Sequence, residues 1–68
     1  MTRFIEIINN TLIVKKQVLE QELEEIINSK EGKVEKRVDE GISILEEISK
    51  VTNTIKILEN YINNNNNN

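Results

Sequence analysis

Four glutamates close together in the first half of the chain are the side chains with the clearest capacity for chemistry. They are Glu20, Glu22, Glu24 and Glu25. Clustered carboxylates can hold a divalent cation or dock a basic protein surface, whereas the simplest alternative is a solvated helix face. Glu20 and Glu24 are like charges spaced i, i+4, which is slightly unfavourable unless a basic partner neutralises them. We favour the solvated face and predict no metal site. Where this face does contact another protein, the predicted secondary contact is at Glu20 and Glu24.

Catalytic side chains are scarce. The sequence contains no His and no Cys, so it lacks the usual general base, the commonest metal ligand and any thiolate nucleophile. Ser43 and Ser49 have no base in the sequence to activate them. We therefore predict that the protein is not an enzyme, has no catalytic residue and uses no cofactor.

The charge pattern argues against a nucleic-acid partner. The net charge is -3, and aromatic residues make up 3% of the chain. Lys33, Lys36 and Arg37 form the densest basic group, but acidic residues surround them. Nucleic-acid binding needs a basic surface and usually stacking aromatics, so we do not expect it.

A membrane is the alternative partner. An amphipathic segment near the start of the chain could rest on a lipid surface. Its apolar residues are Phe4, Ile5, Ile7, Ile8 and Leu12. Few Lys or Arg accompany them, so we favour a helix–helix contact. No apolar run reaches the ~18 residues that a membrane span needs, and we predict a cytoplasmic protein.

The second half of the chain carries the most specific pattern. Its apolar residues follow a 4-3-4-3-4 spacing, the seam of a coiled coil. They are Ile44, Ile48, Val51, Ile55, Leu58 and Ile62. Val34, Val38 and Leu45 lie on or beside the same stripe and widen it. This pattern predicts an amphipathic α-helix.

The first half is less regular but also helical. Its seven-residue repeat consists of Ile5, Leu12, Leu19 and Ile26, with Ile8 as a companion, while Leu23 and Ile27 lie on the adjacent stripe. Ile8 comes three residues after Ile5, and the corresponding positions three residues after Leu12 and Leu19 are Lys15 and Glu22. These two polar residues interrupt the seam. Lys15 and Lys16 could set the register or extend their charges into solvent. A second pattern places Leu12, Leu23, Val34 and Leu45 eleven apart, a spacing that keeps a stripe on one face of a helix.

A segment rich in weak helix formers separates the two halves. Residues 28–33 include Asn28, Ser29 and Gly32, and Gly32 could cap the first helix at its C-terminus. We favour a helical hairpin of residues 3–28 and 33–62. The alternative is a single rod of about 60 residues and ~90 Å. We assign 1–62 to one helical region and 63–68, a pure Asn run, to a disordered tail.

The apolar stripes are larger than this short chain can bury alone, so we predict an all-α coiled-coil oligomer. Ile at a positions 48, 55 and 62, with Ile44, Val51 and Leu58 at d, favours a trimer or a four-helix arrangement, such as two paired hairpins. We predict a structural or adaptor subunit of a cytosolic protein complex. The predicted interaction residues are Ile44, Ile48, Val51, Ile55, Leu58, Ile62, Leu12, Leu19, Leu23 and Ile26.

Two segments resemble a known family. Residues 3–8, Arg-Phe-Ile-Glu-Ile-Ile, are similar to the segment near the start of the Brick proteins, the smallest subunits of the Scar/WAVE actin-regulatory complex. Residues 45–48 and 55–59 resemble that family's closing coiled coil, although the family's acidic-Trp stretch is absent here and the middle is about eleven residues longer. The resemblance implies a coiled-coil subunit that joins an actin regulator.

Overall fold

The computed structural model describes residues 2–66 and consists of two α-helices packed as a hairpin. Helix α1 spans Thr2–Asn28 and helix α2 spans Val34–Asn66. The molecule measures 53 × 16 × 12 Å along its principal axes. The all-α hairpin prediction is therefore confirmed, and the single rod is not the conformation of this chain.

The turn at residues 29–33 is built from local hydrogen bonds and one glycine. The Ser29 N–H donates to the Ile26 carbonyl at 3.3 Å, and the Glu31 N–H donates to Ser29 Oγ at 3.3 Å. Gly32 has φ +84°, a left-handed conformation that costs other residues free energy. Gly32 therefore does not cap α1, which ends at Asn28; it allows the backbone to turn two residues before α2 begins at Val34.

Arg37 ties the two helices together next to this turn. Its Nη2 donates at 3.5 Å to the Ile26 carbonyl, which lies in the last turn of α1 and also accepts from the Ser29 N–H. A cation at this position also complements the negative end of the helix dipole. The sequence suggested only a basic group here, because an arginine on a seam is not recognised by a search for apolar spacing.

The predicted seam of α2 faces α1. Its six apolar residues are half-buried or buried, and Val51, with 5% of its surface exposed, is the one buried hydrophobic residue among the described residues. Arg37 and Gly41 continue the same spacing towards the turn and are half-buried. The heptad prediction for this helix therefore locates the inner face correctly.

The seam of α1 differs from the prediction at its companion positions. The half-buried seam residues are Ile5, Ile8, Leu12, Lys16, Leu19, Leu23 and Ile26. Lys15 and Glu22, the expected interruptions, are exposed, and the residues one position later take their places. After Leu12 the next residue of the seam comes four positions later, at Lys16, rather than the predicted three positions later, at Lys15. Lys16 therefore lies between the helices, where the alkyl part of a lysine side chain can cover apolar surface.

Several flanking apolar residues are more exposed than the sequence suggested. Val34, Val38 and Leu45 do not widen the inner face, and Ile27 is also exposed. The eleven-residue pattern therefore does not mark one face, because its first two members are half-buried while its last two are exposed. Two antiparallel helices cover only a narrow stripe of each other, which leaves adjacent stripes in solvent.

The Asn run begins inside α2. The helix continues through Asn66, four residues further than the predicted end at 62. Adding a residue to an existing helix gains a hydrogen bond without a new nucleus, which offsets the weak helix propensity of Asn. The rest of the predicted tail, Asn67 and Asn68, lies outside the described residues.

Candidate protein-interaction site

The hairpin exposes more surface than a compact protein of its mass. Its accessible surface is 5798 Å². A folded monomer of 7.9 kDa is expected to expose about 4,400 Å², so the excess is about 1,400 Å². Twelve large hydrophobic side chains contribute to this exposed surface. Eleven of them belong to two patches, and Ile13 lies apart from both.

The first patch lies beside the turn, and we call it the loop patch. It comprises Ile27, Val34, Val38, Ile42 and Leu45, all exposed. These residues line an almost wholly apolar cleft of about 430 Å³, together with Leu23, Ile26, Arg37 and Gly41. Gly41 leaves the floor of the cleft open, since a Cβ built there would meet no atom within 4 Å.

The second patch lies towards the other end, and we call it the terminal patch. It comprises Phe4, Ile7, Val14, Val18, Ile57 and Tyr61, all exposed. Phe4, Ile7, Thr11, Val14 and Val18 follow a 3-4-3-4 spacing and form a second stripe along α1. The Thr11 hydroxyl donates to the Ile7 carbonyl at 2.7 Å, so its polar atom is already satisfied within the helix. The stripe is thus a largely apolar surface along α1.

The two patches lie on opposite sides of the hairpin. A second, more polar cleft at the turn is lined on its α1 side by Glu25, whereas Ile27 lines the loop-patch cleft. Glu25 continues the seven-residue repeat of Phe4 and Val18, and positions seven apart share a helix face. The α1 stripe therefore lies on the side of the polar cleft.

The same reasoning places the α2 members of the terminal patch. Lys36 and Glu40 line the polar cleft. Ile57 and Tyr61 are each twenty-one residues further along α2, which is three heptads. The terminal patch thus shares one side of the hairpin with the polar cleft, and the loop patch occupies the other side.

Acidic side chains border the loop patch on both helices. They are Glu20 and Glu24 on α1 and Glu35, Asp39 and Glu46 on α2, all exposed. Glu24 is three residues before Ile27, and Asp39 is three before Ile42, so each lies next to a patch residue. The predicted secondary contact at Glu20 and Glu24 is thus on the acidic edge of an apolar cleft.

The terminal patch has a more basic border. Arg3, Lys15 and Lys50 lie one to two helical turns from patch residues. Glu47 is also on this side and pairs with Lys50 at 3.9 Å, so these two charges offset each other and Arg3 and Lys15 make the border basic. Glu22 lies only at the inner end, one turn beyond Val18. Lys50 thus contacts Glu47, three residues before it, rather than Glu46, four residues before it.

The predicted interaction residues lie mainly between the two helices. The seam of α2 and Leu12, Leu19, Leu23 and Ile26 of α1 are half-buried or buried within one chain. A trimer through the α2 seam would need the hairpin to open. Paired hairpins, by contrast, could use the outer patches. A role of the seam residues between chains stays a prediction.

The described residues hold neither a metal cluster nor a membrane span. Residues 2–66 contain no group of three or more acidic side chains positioned to hold a metal ion. Neither α1 nor α2 is long and apolar enough to cross a membrane.

No family model, no curated protein and no solved structure matches the chain.

Proposed function

We propose that this protein acts as a small assembly or adaptor subunit that binds other protein chains through the outer faces of its helical hairpin. The observation that carries the proposal is the position of its large hydrophobic side chains: twelve are exposed, and eleven of these form two patches. Contiguous apolar patches on soluble proteins commonly mark binding surfaces.

The chemistry of the patches supports a protein partner. An amphipathic helix laid in an apolar cleft is a common mode of protein recognition. The loop-patch cleft has acidic borders, which would repel anionic lipid but attract a basic helix. We therefore favour a protein partner over a membrane surface, and we propose that the partner complex is cytosolic. An actin-regulatory complex is the more specific form that the resemblance to the Brick proteins implies.

The proposal is tested by binding measurements with patch variants. Partners that co-immunoprecipitate with the untagged protein from its native cells would be identified, purified and titrated against the wild type, Phe4→Asp and Val38→Asp. Asn53→Asp is the control, since Asn53 is exposed and is a member of neither patch.

We expect at least one patch variant to weaken binding by roughly tenfold or more, as expected for loss of a central apolar contact. The control variant should bind like the wild type. Partners that bind all four proteins equally would contradict the proposal. Flotation of the protein with anionic vesicles, abolished by Phe4→Asp, would instead favour the membrane alternative.

A further inference from the structure

We propose that a second copy of this chain is the partner that covers each patch, with the terminal patch of one hairpin packed on the loop patch of the next. This inference rests on the proposed function, because it takes the patches to be protein-binding surfaces. It goes further in naming the partner and the pairing of surfaces. The area, charge and position of the patches each support it.

The exposed area matches two interfaces per chain. A typical protein–protein interface buries about 800 Å² on each partner. The excess exposed surface of about 1,400 Å² is close to what two such contacts would cover. A single symmetric contact would cover one patch and leave the other in water. Head-to-tail packing covers both patches on every interior copy.

The charges disfavour pairing of like patches. Two loop patches placed face to face would bring together their acidic borders, including Glu24, Glu35 and Asp39 of each copy. Like charges across an interface are costly, and opposite charges favour association. The terminal patch offers Arg3 and Lys15 to those carboxylates. Contact between unlike patches is therefore electrostatically preferred.

The positions of the patches give this contact its geometry. They lie on opposite sides and towards opposite ends of a molecule 53 Å long. A second copy in the same orientation, displaced by about half that length, brings its terminal patch against the loop patch of the first. Because the contact joins two different surfaces, each pair keeps one free patch of each kind, and growth continues into an open filament, or into a ring where a rotation accompanies the displacement.

Phe4 and Gly41 are suited to the centre of the contact. Phe4 is 64% exposed and is the largest apolar side chain of the terminal patch. Buried aromatic side chains often dominate the energy of an interface. Gly41 leaves the floor of the loop-patch cleft free of side-chain atoms. The cleft can therefore accept a bulky ring from the neighbouring copy.

Sedimentation equilibrium of the full chain and two single variants tests the pairing. Phe4→Asp disables the terminal patch, and Val38→Asp disables the loop patch. Asn53→Asp serves as the control, and circular dichroism checks that every protein is helical. The wild type and the control should increase in mass with concentration. Each patch variant alone should require at least roughly tenfold higher concentration to associate.

An equal mixture of the two patch variants gives the deciding result. Phe4→Asp retains a working loop patch and Val38→Asp retains a working terminal patch, so one copy of each should join. Association should then stop at a mass of two chains. Two variants that remain monomers when mixed, or a variant that alone forms dimers as strong as those of the wild type, would overturn the head-to-tail pairing.

Disulfide cross-linking provides a second measurement that does not depend on the aspartate variants. The natural sequence has no cysteine, so an introduced pair reports only its own contact. Phe4→Cys mixed with Val38→Cys should form a cross-linked heterodimer under mild oxidation. Preferential cross-linking of Val38→Cys to itself would instead indicate symmetric packing of loop patches and overturn the proposal.

The experiments separate this inference from the proposed function. A wild-type chain that stays monomeric at every concentration tested overturns self-association. Patch-dependent binding of a different protein would then still support the adaptor function. If neither self-association nor patch-dependent binding occurs, both proposals are wrong.

Discussion

Replacing two valines by alanine compares the inner seam with an outer patch at constant chemistry. Val51 is 5% exposed, whereas Val38 is 52% exposed. The change removes the equivalent of two methylenes, worth about 1.6 kcal/mol when fully buried. Alanine also gains up to ~0.7 kcal/mol of helix propensity over valine. Val51→Ala should therefore lower the free energy of unfolding by about 1 kcal/mol, and by more if a cavity remains.

Val38→Ala should change the free energy of unfolding very little. Because about half of the Val38 side chain is already exposed, the substitution loses only about half of the hydrophobic stabilisation, and the higher helix propensity of alanine offsets that loss. Urea unfolding followed by far-ultraviolet circular dichroism gives both free energies. The measurements should be made at a dilution where the chain is monomeric, since a bound copy would bury Val38. A loss at Val38 that equals the loss at Val51 and persists on dilution would refute the assignment of inner and outer faces.

Six further substitutions at five positions test the turn and the seam, all by urea unfolding under the same conditions. Gly32→Ala should destabilise the hairpin by about 1–2 kcal/mol, because alanine is strained at the positive φ of this position. Gly41→Ala should stabilise it by about 0.8–1 kcal/mol, since the new methyl meets open space within a helix; a loss of stability would indicate a close neighbour. Both Arg37→Ala and Arg37→Met lose the hydrogen bond to the Ile26 carbonyl, but methionine keeps an apolar side chain in the cleft, so Arg37→Ala should destabilise the hairpin more. Lys16→Leu should stabilise by about 1 kcal/mol at its half-buried seam position, whereas Lys15→Leu, at an exposed position, should have little effect.

The sequence predicts the inner face of α2 well, because its heptad is uninterrupted. The side chains from Ile44 to Ile62 keep one spacing over nearly twenty residues, and the structure places all of them against α1. The weak helix formers at 28–33 also predict the turn. Both features are local, so the residues themselves carry enough information.

The face of α1 is harder to predict because two spacings compete after Leu12. Lys15 and Lys16 are chemically identical candidates for the next position, and only packing against α2 distinguishes them. Arg37 was missed for a similar reason, since its contact with Ile26 depends on the turn that brings α2 back to the end of α1. Long-range contacts of this kind are not encoded in one helix.

The outer patches were only partly visible in the sequence. The spacing predicts Val34, Val38 and Leu45 on or beside the inner stripe, whereas the structure exposes them because two helices make only a narrow contact. The cleft is lined by residues of both helices, so its lining could not be predicted without knowing how the two helices pack. The acidic edge at Glu20 and Glu24 could be predicted as a charged face, but the apolar surface beside it could not.

The antiparallel course of the hairpin has a practical consequence for any engineered form of the protein. Residues 2 and 66 lie at the same end of the molecule, far from the turn at 29–33 and close to Phe4 and Tyr61. An affinity tag, fluorescent protein or carrier fused at either end would therefore be tethered beside the terminal patch and could shield it. A small epitope inserted between Lys30 and Glu31 would avoid that end, although it would lie close to the loop patch.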